Sequence, residues 1–208
     1  DYETGDTSKE RLQSVFQKVS LGEHIPTANY RYRLKPLSLI KEDIFPMQIT
    51  ESTLLTDEYS ALWDGFKNEL TDLPINNLSS CVNFVYYLFC KYTWCVPGAV
   101  YKSEPDVSLF DHLKTTAAIA GCLYVKKRSE EQDNEFLLLG GDISGIQKFI
   151  YKITNVQGVK GVSKRLRGRS FYLSLMQDVI AQRFLNRLLL STPHLLFCGG
   201  GRFEMAAR

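Results

Sequence analysis

The stretch "GGDISGIQKFI", Gly140 to Ile150, decides how this chain is read. The apolar run "FLLL", Phe136 to Leu139, leads into it. A continuous apolar run of this kind fits a strand buried in the middle of a sheet. The glycines, Asp142 and Ser144 then predict a tight turn, and "IQKFIY" predicts a short helix. A glycine-flanked aspartate and serine at a strand end can serve two purposes. Asp142 can hold a metal ion against a nucleotide's phosphates, while Ser144 and Gly145 offer a hydroxyl and a closely approachable backbone. Alternatively, Asp142 caps a helix and the glycines only make the turn, and spacing alone favours this plainer reading.

Downstream, "TNVQGVKGVSK" reads as a glycine-spaced loop, and "RLRGRSFYLSLMQDVIAQRFLNRLLL" as one long helix with apolar residues at helical spacing. Pro193 marks its end, and "HLLFCGGGRFEMA" reads as a hairpin with glycines at the turn. Strand, helix and hairpin in this order match the first part of a βαββαβ, ferredoxin-like unit, whose last helix and strand are missing. The hairpin has Gly199, Gly200 and Gly201 where a nucleotidyltransferase palm needs a carboxylate pair, and no acid until Glu204. Independent two-metal catalysis is therefore not expected of this chain.

Upstream the pattern is mostly helical. A short amphipathic helix is expected around "KERLQSVFQKV", then extended pieces broken by Pro36 and Pro46. "EYSALWDGFKNEL" is amphipathic, and "CVNFVYYLFCKYTW" is apolar nearly all round, which predicts a buried helix. "SLFDHLKTTAAIAGCLYV" predicts a further helix, with Ser108 as N-cap and Asp111 completing a capping box. The charged break "KKRSEEQDNE" follows. The fold class is thus α+β: a helical region over residues 1–125, then an incomplete ferredoxin-like domain over 126–208.

The bulk composition narrows the classes further. The chain has 208 residues, 44% of them hydrophobic, enough for a real core. Its net charge of +2 selects no partner, so local clusters carry the information. The apolar runs fall short of a membrane span, so no membrane partner is expected. Five cysteines in apolar contexts, with no secretory leader, predict reduced thiols and a cytoplasmic location. Only Cys90 and Cys95 lie close together, which is too few ligands for zinc. The absence of an initiating Met, and an end just after a strand begins, lead us to expect a segment of a longer chain.

One local cluster stands out. Lys160, Lys164, Arg165, Arg167 and Arg169 fall within ten residues, with no acid between Gln147 and Gln177. Such a group can neutralise phosphates of nucleic acid or nucleotide, although a solvated positive surface is the plainer alternative. Asp111 and His112 form an adjacent pair, but His24 and His194 are distant, so a core or capping role is expected for His112.

Taken together, "LLGGDISGIQKFIY", "KRLRGRSFYL" and "GGGRF", with "PDVSLFDHLKTTAAIAGCLY" upstream, resemble the large signature subunit of type III CRISPR effector complexes, Csm subtype (type III-A). The likeness covers roughly residues 60–205. It implies a parent with an HD nuclease domain that cuts single-stranded DNA and two palm domains, the second bearing a GGDD motif that makes cyclic oligoadenylates from ATP. Target RNA switches both on. By this resemblance, residues 1–125 are the end of the HD region with its linker, and 126–208 most of the first palm. Gly141, Asp142, Ile143, Ser144 and Gly145 then face an ATP pocket shared between the palms. The "GGGRF" hairpin is the counterpart of the catalytic one. ATP with Mg or Mn belongs to the parent complex, and no tightly bound cofactor, metal ligand or catalytic residue is assigned to this chain. Lys164, Arg165, Arg167 and Arg169 are the candidates for phosphate or nucleic-acid contact. The implied partners are other Csm subunits, guide RNA and target RNA. The sequence contains neither GGDD nor a His-Asp dipeptide. Two other readings remain open: a stand-alone nucleotidyl-cyclase palm using Asp142, and a non-catalytic RNA- or protein-interaction domain.

Overall fold

The computed structural model describes residues 9–19, 22, 29–48, 55–73, 77–128, 136–152 and 161–207. Residues 154–160 of the glycine-spaced loop, Lys160 among them, and most of the charged break lie outside them, while the loop's last residues open a helix. The chain divides into two compact units, Asp1–Leu113 and Lys114–Arg208. The division falls N-terminal to the 125/126 boundary drawn from the sequence.

In the first unit, helices α1 (Lys41–Ile44), α2 (Leu55–Thr71) and α3 (Leu78–Thr93) accompany a two-stranded antiparallel ribbon, β1 (Tyr30–Arg31) with β2 (Met47–Gln48). The core is Leu34, Leu62, Phe66, Leu88, Tyr92 and Cys95. Gly65 allows close approach of α2 to α3, since a Cβ there would lie 2.7 Å from Tyr92 Cε1. Asn77 caps α3, its side chain accepting from Ser80 N at 2.8 Å.

Two expectations in this unit need correction. The segment 9–19 forms only a 3-10 turn, Val15–Lys18, in place of an amphipathic helix. Its backbone is recruited elsewhere: Gln13 N donates to Pro105 O, Ser14 N to Tyr30 O, and Tyr32 N to Leu12 O. These inter-segment bonds satisfy the amides that a helix would have used. Helix α3 is not buried all round. Only Leu88 and Tyr92 are buried along it, and Tyr87 is 60% exposed, because α2 covers a single face.

Helix α4 runs from Leu109 to Arg128 and begins at the expected capping box. Asp111 N donates to Ser108 Oγ at 3.0 Å, and the hydroxyl donates to Asp111 Oδ2 at 2.7 Å.

The second unit holds β3 (Leu137–Asp142), α5 (Ile146–Tyr151), α6 (Val162–Arg187), β4 (Leu195–Gly199) and β5 (Arg202–Ala207). The sheet order is β3-β5-β4, with both pairs antiparallel. This is the order of the first three strands of a ferredoxin-like unit, and it fixes the class as α+β. Helix α6 covers one face. Ala181 and Leu185 pack on Phe203 and Met205, with Leu139 and Cys198 at the margin. His194 is buried against α4, where a Cβ on Gly121 would lie 2.7 Å from its Nε2.

Among the described residues strand β3 pairs with β5 alone and is less buried than expected for it, Leu137 and Leu138 being 51% and 63% exposed. Apolar continuity reports that both faces avoid water in the complete environment. It does not report which strands flank it.

Candidate functional site

The two glycine-rich segments meet at one end of the sheet. Strand β3 pairs with β5 in the register Gly140↔Glu204, Gly141↔Phe203 and Asp142↔Arg202. Beyond the last pair, Ile143 N donates to Gly201 O at 2.8 Å. The hairpin between β4 and β5 turns through Gly200 and Gly201, with φ of +61° and +92°. Positive φ at both central residues of a two-residue loop gives the tight hairpin that matches strand twist. Gly201 also makes room for α5, since a Cβ there would lie 2.0 Å from Ile146 Cδ1.

The loop residues divide by exposure. Asp142, Ser144 and Gly145 are exposed, whereas Gly141 and Ile143 are half-buried. Gly145 stands at the N-cap of α5 with φ +76°, and its missing Cβ would meet nothing within 4 Å. The backbone of the loop is therefore open to a ligand. Asp142 opposes Arg202, and Arg202 forms an ion pair with Glu204 two residues on. Asp142 thus sits at the register position opposite an Arg202–Glu204 ion pair. Glu204 is committed to Arg202, and among the described residues no group of three or more His, Cys, Asp or Glu could hold a metal ion.

The basic candidates do not act as one group. Lys164, Arg165 and Arg167 are exposed on the first turns of α6, after Gly161 at its N-cap. Arg167 reaches Ser163 Oγ at 3.5 Å. Arg169 is directed elsewhere. Its Nη1 donates to Phe149 O at 2.9 Å, and its guanidinium lies 5.6 Å from the Phe149 ring centroid. A cation on the last carbonyls of a short helix satisfies orphan acceptors and complements the helix dipole. Asp111 and His112 stand at the start of α4 in the first unit. Asp111 serves the capping box there, and His112 Cβ would lie 3.2 Å from a Cβ on Gly98.

Sequence reasoning missed Gln177. It lies on α6 and is 3% exposed. Its Oε1 accepts from Gly201 N at 2.8 Å, and its Nε2 donates to Arg202 O at 2.6 Å and to Cys198 Sγ at 3.3 Å. The Cys198 thiol donates to Asp178 Oδ1 at 3.2 Å. Burial, with that bond to Asp178, holds the thiol pKa above its ordinary value, so Cys198 stays protonated and unreactive near neutrality. The only signal in the sequence was a polar residue on the apolar stripe of α6, four positions before Ala181.

The comparisons agree with one another. The family model described as Csm1 subunit domain B matches residues 135–208. The Cas10/Csm1 single-strand-specific deoxyribonuclease (subtype III-A) of Methanocaldococcus jannaschii is 34% identical, over 95% of this chain and 28% of its own length. That of Mycobacterium tuberculosis is 35% identical, over 91% of this chain and 24% of its own. A Csm1–Csm4 cassette solved in complex with cA4 superposes with a TM-score of 0.67 at 28% identity, covering 96% of this chain and 26% of that one. Csm1 of T. onnurineus gives 0.60 at 25% identity, over 99% and 26%. The chain spans about a quarter of the length of these relatives.

Proposed function

The chain belongs to the Cas10/Csm1 family of subtype III-A CRISPR systems, and on that premise we propose that its second unit supplies one wall of a nucleotide pocket. The loop Gly141–Gly145 takes the ligand. Ser144 offers its hydroxyl, the open backbone at Gly145 allows close approach, and Asp142 supplies a carboxylate towards a ribose or a phosphate-bound cation. The observation that carries this reading is the bond from Ile143 N to Gly201 O. It locks the loop to the hairpin while Asp142 and Ser144 stay exposed. Solved relatives in complex with cA4 and with AMPPNP support adenine nucleotides as the ligand class.

The residues present fit a nucleotide better than a two-metal clamp. Asp142 is one ligand, and Glu204 is held by Arg202. Mg or Mn accompanying ATP would need further ligands from the parent protein, so this chain carries no complete catalytic set. RNA-activated oligoadenylate synthesis and single-stranded DNA cleavage are activities we assign to the parent. Other Csm subunits are its partners, Csm4 first, since solved relatives are Csm1–Csm4 subcomplexes. Lys164, Arg165 and Arg167 are free of the tie that holds Arg169, and we assign them to phosphates of guide or target RNA or of nucleotide.

The test is calorimetric titration of ATP with Mg²⁺ into the chain and its Asp142→Ala and Ser144→Ala variants. Binding by the wild type that both substitutions weaken supports the reading. Binding that neither one changes removes the loop from the pocket.

A further inference from the structure

We infer that Gln177 is the positioning residue for the nucleotide loop, setting the place of Asp142 and Ser144 through Gly201 without touching the ligand. The inference rests on the nucleotide reading of that loop. It starts from the two polar groups of Gly201. The amide N–H points to Gln177 Oε1 at 2.8 Å, and the carbonyl accepts from Ile143 N at 2.8 Å. One residue therefore links the buried side chain on α6 to the start of the loop. Ile146, first residue of α5, packs into the space left by the missing Cβ of Gly201. The loop is thus docked on Gly201 at both ends, by Ile143 and by Ile146.

The chemistry of the side chain at 177 is tightly specified. A backbone N–H can only donate and a backbone carbonyl can only accept, so Gly201 N and Arg202 O fix which end of the amide faces which. The second Nε2 hydrogen goes to Cys198 Sγ. Every polar atom of a buried amide is used. An apolar residue of similar size would leave the Gly201 N–H and one Arg202 acceptor site unpaired in the interior. A carboxylate would accept from Gly201 but could not donate to Arg202. A protonated carboxyl would do both, its carbonyl accepting from Gly201 N and its hydroxyl donating to Arg202 O.

That last property supplies the test. The full chain is compared as wild type, Q177M and Q177E from about pH 5 to pH 8, where a buried carboxyl of raised pKa titrates. The neighbouring titratable groups are Asp178 on α6 and the Cys198 thiol on β4. Asp142, Arg202 and Glu204 are the charged groups on the strands. All are common to the three proteins, so the wild type and Q177M serve as references for them. Two quantities are read: hydrogen-exchange protection of the Gly201 and Ile143 amides, and ATP affinity with Mg²⁺.

Q177M is expected to lose protection at both amides and bind ATP about tenfold more weakly at every pH, because the displaced loop no longer holds Asp142 and Ser144 in place. Q177E is expected to fall towards Q177M at the alkaline end, where the carboxylate has no hydrogen for Arg202 O and is repelled by it, and to return towards wild type at the acid end, in both readouts. A role in packing alone would produce no such recovery. If Q177M does not fold, the Q177E profile decides by itself. The inference is overturned if Q177E shows no recovery, if Ile143 keeps wild-type protection in both variants, or if protection changes while ATP affinity does not. Should the wild type bind no ATP, the nucleotide reading falls and with it the role assigned to Gln177. The protection profile then still shows whether the clamp exists.

Discussion

Gly201→Ala places a methyl group where the hairpin meets α5, and its cost separates into two parts. The first is conformational. Gly201 has φ +92°, and an L-residue held in the left-handed region costs about 1–2 kcal/mol. The second is steric. The new Cβ would lie 2.0 Å from Ile146 Cδ1 but 3.5 Å from Cγ1, so the conflict is with one terminal methyl. Overpacking of this kind costs about 1–3 kcal/mol. Their sum is about 2–5 kcal/mol for Gly201→Ala alone. Ile146→Val removes the offending methyl and costs about 0.5–1.5 kcal/mol by itself. In the double variant the steric part vanishes and the conformational part remains. A double-mutant cycle should therefore show a favourable coupling of about 1–3 kcal/mol. Both tryptophans, Trp63 and Trp94, lie in the first unit, so fluorescence does not report on this hairpin. Urea unfolding should be followed by hydrogen exchange at the β5 amides. Coupling below about 0.5 kcal/mol, in the range of ordinary additivity error, would refute the packing of Ile146 against Gly201.

Three shorter predictions follow from other parts of the molecule. Ser108→Ala removes the acceptor for Asp111 N and should destabilise α4 by about 1 kcal/mol, read as faster exchange in its first turn. Glu69 accepts from Lys91 Nζ at 2.5 Å and from Tyr92 Oη at 2.7 Å, and the bond to Lys91 is the larger cause holding its pKa below the ordinary value. A depressed folded-state pKa contributes stability above the unfolded pKa and loses it as pH falls through the folded one. Acid titration of the first unit's tryptophan fluorescence should show this loss, diminished in Glu69→Gln. For the basic cluster, a Lys164→Gln/Arg167→Gln variant should bind RNA more weakly and with a flatter salt dependence in the assembled complex. An unchanged slope would return these residues to the solvated surface.

The legibility of the chain follows the range of the interactions involved. The long helix α6 and the capping box were readable because periodicity and capping are local. The β4–β5 hairpin was readable because glycines readily take the positive φ its turn requires. The loop at Asp142 and the hairpin at Gly201 were each visible, but their hydrogen bond joins residues far apart in sequence. The exposure of Leu137 and Leu138 on β3 was not legible for the same reason, since what covers a strand is a long-range property. Segment 9–19 carried helical periodicity, yet bonds to Tyr30, Tyr32 and Pro105 redirected its backbone. Arg169 was indistinguishable from its basic neighbours until the carbonyl of Phe149 was found in front of it. Gln177 gave almost no signal, because a buried amide is defined by its partners and not by its neighbours in the chain.

The adenine nucleotide proposed at the loop Gly141–Gly145 can be sought by direct attachment. The most direct measurement is photocrosslinking of the chain with 8-azido-ATP and Mg²⁺, followed by peptide mapping of the attached label. Label is expected on the peptide carrying Asp142 and Ser144 or on the Gly199–Phe203 hairpin beside it, competed away by unlabelled ATP. Label confined to the first unit, or label at the loop that excess ATP does not displace, would contradict that site.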